Sequence, residues 1–231
     1  MNEEQLERIR KAYSSAIRDF LAGISPLSKV PKKFKRSKTF KAFLKKADPS
    51  TVGSAAPDIK QFLKPAPGMK CLDAGCCANL AAYRLDKWPS TYYGIDYSPV
   101  VIQEMKKFTS INNLKIGGLK KAEIKDLPYP NDFFDIAMVI GVFEYLHMDY
   151  SVQALKELFR VLKPGARMVL DLPNPAHPHI EIMFQLEEYL GRPNILKSRT
   201  QFEQHLTPLF SIVNIRDTHV MLKYFVEKRR T

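Results

Sequence analysis

The sequence predicts an α/β protein with a doubly wound, mostly parallel sheet of seven strands and helices on both faces. From residue 69 onward, short apolar runs alternate with longer amphipathic stretches. This alternation is typical of βαβ units built around a parallel sheet. Two β-rich runs close the chain, and we expect them to pair as an antiparallel hairpin at the sheet edge. A helical N-terminal extension precedes the sheet.

The apolar runs set the expected strands. Five of them alternate with helices and should form the parallel part of the sheet, at 70–74, 91–96, 114–123, 134–140 and 166–172. The closing hairpin is expected at 209–215 and 219–226. Each run has the length of an ordinary strand.

Helices are expected before and between the strands. Apolar residues recur at spacings of three and four from residue 4 to 21, which predicts an amphipathic first helix. Shorter helical patterns cover 39–46 and 57–63. The pair Ser98-Pro99 offers an N-cap followed by a proline in the first turn, which predicts a helix to residue 108. Further helices are expected at 151–162 and 178–190. We therefore divide the chain into a helical, basic extension or cap (1–66) and a main domain (67–231).

Composition limits the class of protein. The chain has 231 residues, 45% of them hydrophobic, which is ordinary for a globular protein. Its cysteines, Cys71, Cys76 and Cys77, lie close together and match neither a disulfide framework nor a paired metal-binding pattern. We expect reduced thiols and no metal site. The charged N-terminus lacks an apolar signal segment and no apolar run is long enough to span a membrane, so we expect a cytoplasmic protein.

A basic segment accounts for much of the net charge of +12. Residues 29–46 contain nine Lys or Arg and no acidic residue. Such a run is most often a solvated surface, and the alternatives are contact with an anionic substrate, a nucleic acid or a membrane surface. Aromatic residues interleave with the charges and favour contact with a partner.

The segment 69–79, MKCLDAGCCAN, is the most informative stretch of the chain. An apolar strand ends there in Asp-Ala-Gly, and Asp96 ends the next expected strand. In an open α/β sheet the ligand binds beyond the carboxyl ends of the strands, where a small residue such as Gly75 lets the backbone approach the ligand. A carboxylate on the neighbouring strand suits the hydroxyls of a ribose. The pattern indicates a nucleoside-cofactor site.

With these elements placed, residues 69–174 resemble the class I S-adenosylmethionine-dependent methyltransferases, especially the branch with quinone and natural-product methyltransferases. Four stretches carry the resemblance in order, at 72–79, 93–98, 123–130 and 160–167. In the first, Cys77 and Asn79 stand where the family motif has glycines. The resemblance implies a Rossmann-like fold and S-adenosyl-L-methionine as cofactor.

The resemblance also implies cofactor-binding roles for particular residues. Asp73 would orient the loop and, through water, the methionine ammonium group, while Asp96 would accept hydrogen bonds from the ribose hydroxyls. Glu123 would meet the adenine amino group, and Ile124 would offer its backbone N–H to the ring. The rest of the slot would be lined by Gly75, Cys76, Tyr97 and Leu127. Two alternatives stay open: Asp73 as a cap of the following turn and Asp96 as an ordinary surface acid.

A nicotinamide dinucleotide is the main rival ligand. Its pyrophosphate needs a Gly-x-Gly-x-x-Gly turn at a helix N-terminus. Here Cys77 and Ala78 occupy the turn where the backbone would have to contact the phosphates. The sequence therefore favours the sulfonium cofactor, which has no pyrophosphate.

Methyl transfer is an in-line displacement, so the protein has to align the nucleophile and accept its proton where it carries one. Glu144 and His147 follow the fourth expected strand, in a stretch that resembles the family's Val-Leu-Glu-His-Leu, and His177 follows the fifth. We take these three residues as catalytic candidates. A structural role remains the alternative for each, and His177 with His179 lacks the further ligands of a metal site.

The leading functional hypothesis is transfer of a methyl group to an O, N or S nucleophile of a small or medium-sized substrate. The basic segment leaves open the alternative that this substrate is anionic. A second hypothesis keeps the reaction but has RNA or an acidic peptide bind through residues 29–46. Against base methylation, Ile140-Gly141-Val142-Phe143 stands where an Asn-Pro-Pro-Tyr-type motif would be. A third is a non-catalytic adaptor with the same fold.

Overall fold

The computed structural model describes residues 3–46 and 57–230. Its strands are β1 (Lys70–Ala74), β2 (Thr91–Asp96), β3 (Gly118–Lys121), β4 (Phe134–Val139), β5 (Leu162–Pro173), β6 (Phe210–Arg216) and β7 (Met221–Lys228). They form one sheet in the order β3-β2-β1-β4-β5-β7-β6. The first five strands are parallel, and β7 runs antiparallel to both β5 and β6. The expected seven-stranded sheet and its closing hairpin are confirmed.

Helices flank this sheet. In the described ranges they are α1 (Glu3–Leu21), α2 (Lys32–Arg36), α3 (Lys38–Lys46), α4 (Pro57–Leu63), α5 (Asn79–Ala82), α6 (Pro99–Ile111), α7 (Met148–Val161), α8 (Ile180–Tyr189) and α9 (Arg199–Leu206). The Ser98 hydroxyl accepts from the Val101 N–H at 3.3 Å, so the expected cap of α6 is confirmed. No helix in these ranges has both the length and the apolar character needed to cross a bilayer.

The core lies in two layers, one on each face of the sheet. Successive strand residues alternate between them, so that Leu72 belongs to one layer and Cys71 to the other. Buried residues of α7 and α9 complete the first layer. Residues of α1, α4, α5 and α6 complete the second. The expected helices on both faces are confirmed.

The N-terminal extension packs directly on the main domain. Ile17 of α1 and Leu63 of α4 are fully buried in the same core layer as the sheet. Phe34 and Phe40 form a smaller cluster with Ile182 of α8. The extension therefore shares its buried surface with the rest of the chain, and the division between residues 66 and 67 stays a prediction.

Several elements differ from the sequence prediction. Strand β5 begins at Leu162, four residues earlier than expected, and α2 was not among the expected helices. Strand β3 has four residues, whereas the apolar pattern predicted 114–123. It pairs only with β2, from Tyr93 opposite Gly118 to Asp96 opposite Lys121, and β2 ends there. The pattern also missed α9, because only Phe202 and Leu206 are buried in this otherwise polar helix. Two apolar residues are too few for a recognisable period.

Candidate functional site

A cavity of about 310 Å³ lies at the carboxyl ends of β1, β2 and β4. This is the low end of the range for small-molecule sites, about 300–1,000 Å³. Gly75, Asp96 and Gly141, which follow or end these strands, form its floor. Leu6, Ile9 and Tyr13 of α1, which also line the cavity, come from the N-terminal extension. The cavity thus lies between the sheet and the extension.

Asp96 is held by the backbone around it. Its Oδ1 accepts from the Ser98 N–H at 2.8 Å, and its Oδ2 accepts from the Cys77 N–H at 3.1 Å. Burial raises the pKa of Asp96 to about 6, so the carboxylate is mainly ionised at neutral pH. A carboxylate oxygen has more than one acceptor position, so each can still accept from a ligand. The side chain lines the cavity and suits a pair of hydroxyls.

The turn after β1 is clamped against β2. The N–H groups of Gly75 and Cys76 both donate to the Ile95 carbonyl, at 2.9 and 2.8 Å. Gly75 has φ +79°, and a Cβ there would lie 2.3 Å from Cγ2 of Val142. Glycine is therefore required here for two reasons: the positive φ disfavours other residues, and a Cβ would clash with Val142. Cys77 lines the cavity, whereas the predicted Cys76 is buried behind the turn and does not.

Asp73 lies beneath this turn and does not line the cavity. Its Oδ1 accepts from Nδ2 of Asn79 at 3.0 Å, and its Oδ2 accepts from the Tyr92 hydroxyl at 2.8 Å. Burial raises the pKa of Asp73 to about 7. Asn79 itself lines the cavity. Asp73 thus orients Asn79, whose amide lies between this carboxylate and the cavity, and its predicted role toward the methionine ammonium group stays a prediction.

The predicted adenine-binding residues lie together at another wall. Tyr97, Glu123 and Ile124 all line the cavity. Glu123 Oε2 accepts from the Tyr150 hydroxyl at 2.9 Å and lies 3.3 Å from Nζ of Lys125. Leu127 is buried outside the lining. The wall therefore combines apolar surface with one carboxylate, as a purine with an amino group requires.

None of the three catalytic candidates lines the cavity. Glu144 is 7% exposed, its Oε2 has no hydrogen-bond partner among the described residues, and burial raises its pKa well above the usual range. His147 is exposed at the start of α7. His177 is half-buried, and its Nδ1 accepts from the His179 N–H at 3.2 Å. Their catalytic roles stay predictions that this placement does not favour.

Tyrosines at positions 13, 83, 145 and 150 also line the cavity. The sequence had suggested Tyr13 alone among them as a cover of the cofactor, with core packing as the favoured alternative. The Tyr13 hydroxyl donates to that of Tyr145 at 2.8 Å, and Tyr145 donates to Glu187 Oε2 at 3.1 Å. Arg192 pairs with the same carboxylate at 2.8 Å. These residues are far apart in the chain, so no local motif marks them. In the sequence, the apolar pattern of α1 was the feature that indicated an inward position for Tyr13.

No set of three or more His, Cys, Asp or Glu side chains in residues 3–46 and 57–230 is arranged to hold a metal ion. The acidic side chains that line the cavity are Asp96 and Glu123.

Comparison with known proteins identifies proteins that part of this chain resembles. Residues 72–170 match a family model described as "Methyltransferase domain". The demethylmenaquinone methyltransferases of Lactiplantibacillus plantarum and Staphylococcus aureus are 33% and 35% identical over 99 and 124 residues. These matches cover 42% and 52% of this chain. They cover 41% and 49% of the two relatives, so the chain spans about half the length of the curated relatives it matches.

A solved S-adenosylmethionine-dependent methyltransferase from Methanosarcina mazei has the same fold. It superposes with a TM-score of 0.60 at 19% identity, over 75% of this chain and 97% of that one. The likeness extends the shared fold beyond the segment matched by the family model.

Proposed function

We propose that this chain belongs to the class I S-adenosylmethionine-dependent methyltransferase family and transfers a methyl group from S-adenosyl-L-methionine to an O, N or S nucleophile of a small or medium-sized substrate. One observation carries the proposal. The cavity joins a backbone-held carboxylate, Asp96, to the tight turn at Gly75, at the carboxyl ends of adjacent parallel strands. Nucleoside ligands bind at this place in open α/β sheets.

The residues of the cavity fit the parts of the cofactor. Asp96 would accept from the ribose hydroxyls, while Glu123 and Ile124 would contact the adenine. The methionine end would lie along the turn that includes Cys77 and Asn79, both of which line the cavity. When bound, the cofactor supplies a methyl group on a positively charged sulfur, which is already activated for displacement.

The chain's own contribution is to position the substrates and exclude water. Helix α1 covers the cavity through Leu6, Ile9 and Tyr13. Hydrogen bonds between the hydroxyls of Ser14 and Ser98 and between those of Tyr13 and Tyr145, both 2.8 Å long, fasten α1 to the main domain. In this arrangement the nucleophile would approach a site that α1 covers.

Isothermal titration calorimetry tests the cofactor assignment directly. We expect the protein to bind S-adenosylmethionine and S-adenosylhomocysteine and to show no binding of NAD, because the turn lacks the glycines of a pyrophosphate site. Incubation with labelled cofactor and fractionated metabolites, followed by mass analysis, then identifies the methylated product. Failure to bind either sulfur compound would contradict the proposal, and binding without turnover on any fraction would favour the adaptor hypothesis.

The basic helices support a second candidate, methylation of RNA or an acidic peptide. Exposed cations of α2 and α3 occur at positions 32, 33, 36, 38, 41 and 45, and no acidic residue interrupts them. Phe34 and Phe40, which the sequence offered as partners for bases, are buried against α8. The surface therefore supplies charge without those two aromatic rings for stacking.

The salt dependence of RNA affinity separates binding through these helices from nonspecific attraction to the overall positive charge of the protein. RNA binding through the surface should weaken as the salt concentration rises. Changing Lys32, Lys33 and Arg36 together to Gln should make the slope of log affinity against log salt concentration shallower by about 2, because each phosphate contact on a single strand contributes about 0.7. Changing Lys60, Lys64 and Lys106 to Gln removes the same charge from exposed positions elsewhere. Equal slopes for the two triple variants would contradict the second candidate.

A further inference from the structure

A second cavity of about 210 Å³ adjoins the first. It lies between the C-terminal half of α1, the turn at Pro26–Lys29 and the segment after α8. Tyr13, Cys77 and Ala78 line both cavities. A molecule in the second cavity would therefore reach the turn where the methionine end of the proposed cofactor lies.

The wall of the second cavity is mainly apolar. Ala12, Ala16, Pro26 and Leu190 line it, and Phe20 and Ile24 are 45% and 48% exposed at its outer rim. Large apolar side chains left in water at the rim of an apolar cavity are typical of a ligand-binding site.

Charged groups are few in this wall, and each has a partner. Asp19 and Lys29 form an ion pair, and Lys29 also donates to the Ser15 hydroxyl at 2.8 Å. Because these opposite charges are paired, this part of the wall favours no strongly charged ligand. Arg192, the remaining cation of the lining, pairs with Glu187 at 2.8 Å.

Polar groups converge at the inner end. The guanidinium carbon of Arg192 lies 5.0 Å from the centre of the Tyr13 ring. The Tyr13 hydroxyl donates to Tyr145, which donates to Glu187. Burial raises the pKa of both tyrosines, so both hydroxyls stay protonated at neutral pH. The inner end thus offers hydrogen-bonding groups, whereas the rest of the wall offers apolar contact.

We propose that the second cavity binds the methyl acceptor and that this acceptor is an uncharged, largely apolar molecule whose one polar end meets Tyr13 and Arg192. The proposal rests on the proposed function, because it places the acceptor beside the turn assigned to the methionine end. It narrows the substrate from any small or medium-sized metabolite to an apolar one. The polar end would carry the nucleophile, since that end lies where the two cavities meet.

A fluorescent probe tests the site without knowledge of the natural acceptor. PRODAN is an uncharged naphthalene that brightens in apolar surroundings, so the basic helices do not attract it by charge. It is titrated into the protein saturated with S-adenosylhomocysteine, which occupies the first cavity. We expect saturable binding that the variant Ala16→Trp weakens at least tenfold, because the indole fills the second cavity. The control is Ala42→Trp, since Ala42 is exposed on α3 and lines neither cavity.

A second variant tests the cavity independently in case Ala16→Trp does not fold. Ile24→Lys puts a charge at the exposed rim, where folding tolerates it, and should weaken PRODAN binding several-fold. PRODAN affinities of both variants equal to that of the control would overturn the proposal. So would a tenfold loss of S-adenosylhomocysteine affinity in Ala16→Trp, since the second cavity would then belong to the cofactor.

Calorimetry with S-adenosylhomocysteine alone separates the two proposals. Absence of that binding in the unmodified protein defeats the proposed function. The second cavity is still tested in that case by the difference in PRODAN affinity between Ala16→Trp and Ala42→Trp. Absence of PRODAN binding to a protein that binds S-adenosylhomocysteine defeats only the acceptor site.

Discussion

The two sides of the first cavity are built in different ways. On the sheet side, the turn after β1 and the Asp96 carboxylate are joined by backbone N–H groups. On the opposite side, α1 is held by side chains, through the Tyr13–Tyr145 and Ser14–Ser98 hydrogen bonds and an exposed ion pair of Arg8 with Glu188. The sheet side is therefore part of the fold, whereas α1, which we call the cover of the cavity, is attached to it by side chains.

This difference has a consequence for ligand exchange. A side-chain hydrogen bond contributes about 1 kcal/mol to stability, and an exposed ion pair contributes less than that. Ile17 still anchors the C-terminal half of α1 in the core, but the N-terminal half over the cavity depends on these weaker contacts. The cover can therefore move away from the cavity at a lower cost than the sheet side can deform.

The largest effect is expected on the sheet side. Asp96→Ala removes the acceptor for two ribose hydroxyls and the two backbone contacts that shape the turn. Hydrogen bonds to a charged group contribute about 1.5–3 kcal/mol each, so affinity for S-adenosylhomocysteine should fall about 100-fold or more. Calorimetry measures the change. Asp149→Ala, at an exposed position on α7, is the control, and equal affinities of the two variants would show that the ribose is bound elsewhere.

A glycine pair tests how strongly the turn is fixed. Gly75 and Gly23 both have positive φ, at +79° and +71°, so Ala at either position costs about 1–2 kcal/mol in backbone strain. A Cβ at Gly23 meets nothing within 4 Å, whereas one at Gly75 would lie 2.3 Å from Val142. Denaturant unfolding should therefore show Gly75→Ala to be less stable than Gly23→Ala by about 1–3 kcal/mol. Equal losses of stability in the two variants would mean that Val142 moves to accommodate the added methyl group and that the turn is less rigid than its hydrogen bonds indicate.

The same contrast explains what the sequence could predict. The sheet, its terminal hairpin and the sheet-side residues Gly75, Asp96 and Glu123 follow from contiguous segments, because each segment sets its own strand and turn. Asp73 and Cys76 were chosen from the same motif, but strand alternation and the turn put them behind the cavity wall. A motif gives the neighbourhood of a residue more reliably than the direction of its side chain.

The sequence predicted a cap formed by residues 1–66, but it could not predict which side chains fasten this cap, for a physical reason. Tyr13, Tyr145, Glu187 and Arg192 come from α1, the loop after β4, α8 and the segment that follows α8. Only the packing of these elements brings them together, so no spacing in the chain reveals the cluster. His147 shows another limit of motif reasoning: its position in a motif suggested catalysis, the fold leaves it exposed, and its catalytic role stays a prediction.

Asp73 gives the sheet side a dependence on pH. Its pKa is raised from 3.8 to about 7 by burial, so its contribution to stability is fully present below about pH 4 and is lost as pH rises through 7. Asp73→Asn removes this titration. The unfolding free energy of the variant minus that of the unmodified protein should therefore increase by about 2 kcal/mol between pH 5 and pH 8. Denaturant unfolding across this range measures it, and a constant difference would mean that Tyr92 and Asn79 stabilise the carboxylate enough to offset its burial.

The smallest expected effect concerns the hydrogen bond that joins the cover to the sheet side. Tyr13→Phe should destabilise the protein by about 1 kcal/mol, because one hydrogen bond is lost, and Tyr145→Phe by about 1–2 kcal/mol, because two are lost. Tyr189→Phe, on a side chain that is 47% exposed, is the control and should change little. In a double-mutant cycle the two changes should be non-additive by about 0.5–1.5 kcal/mol, since they share one bond. Strict additivity would show that the Tyr13–Tyr145 hydrogen bond does not hold α1, and the contrast between a backbone-built floor and a cover held by side chains would then rest on Ser14 and Arg8.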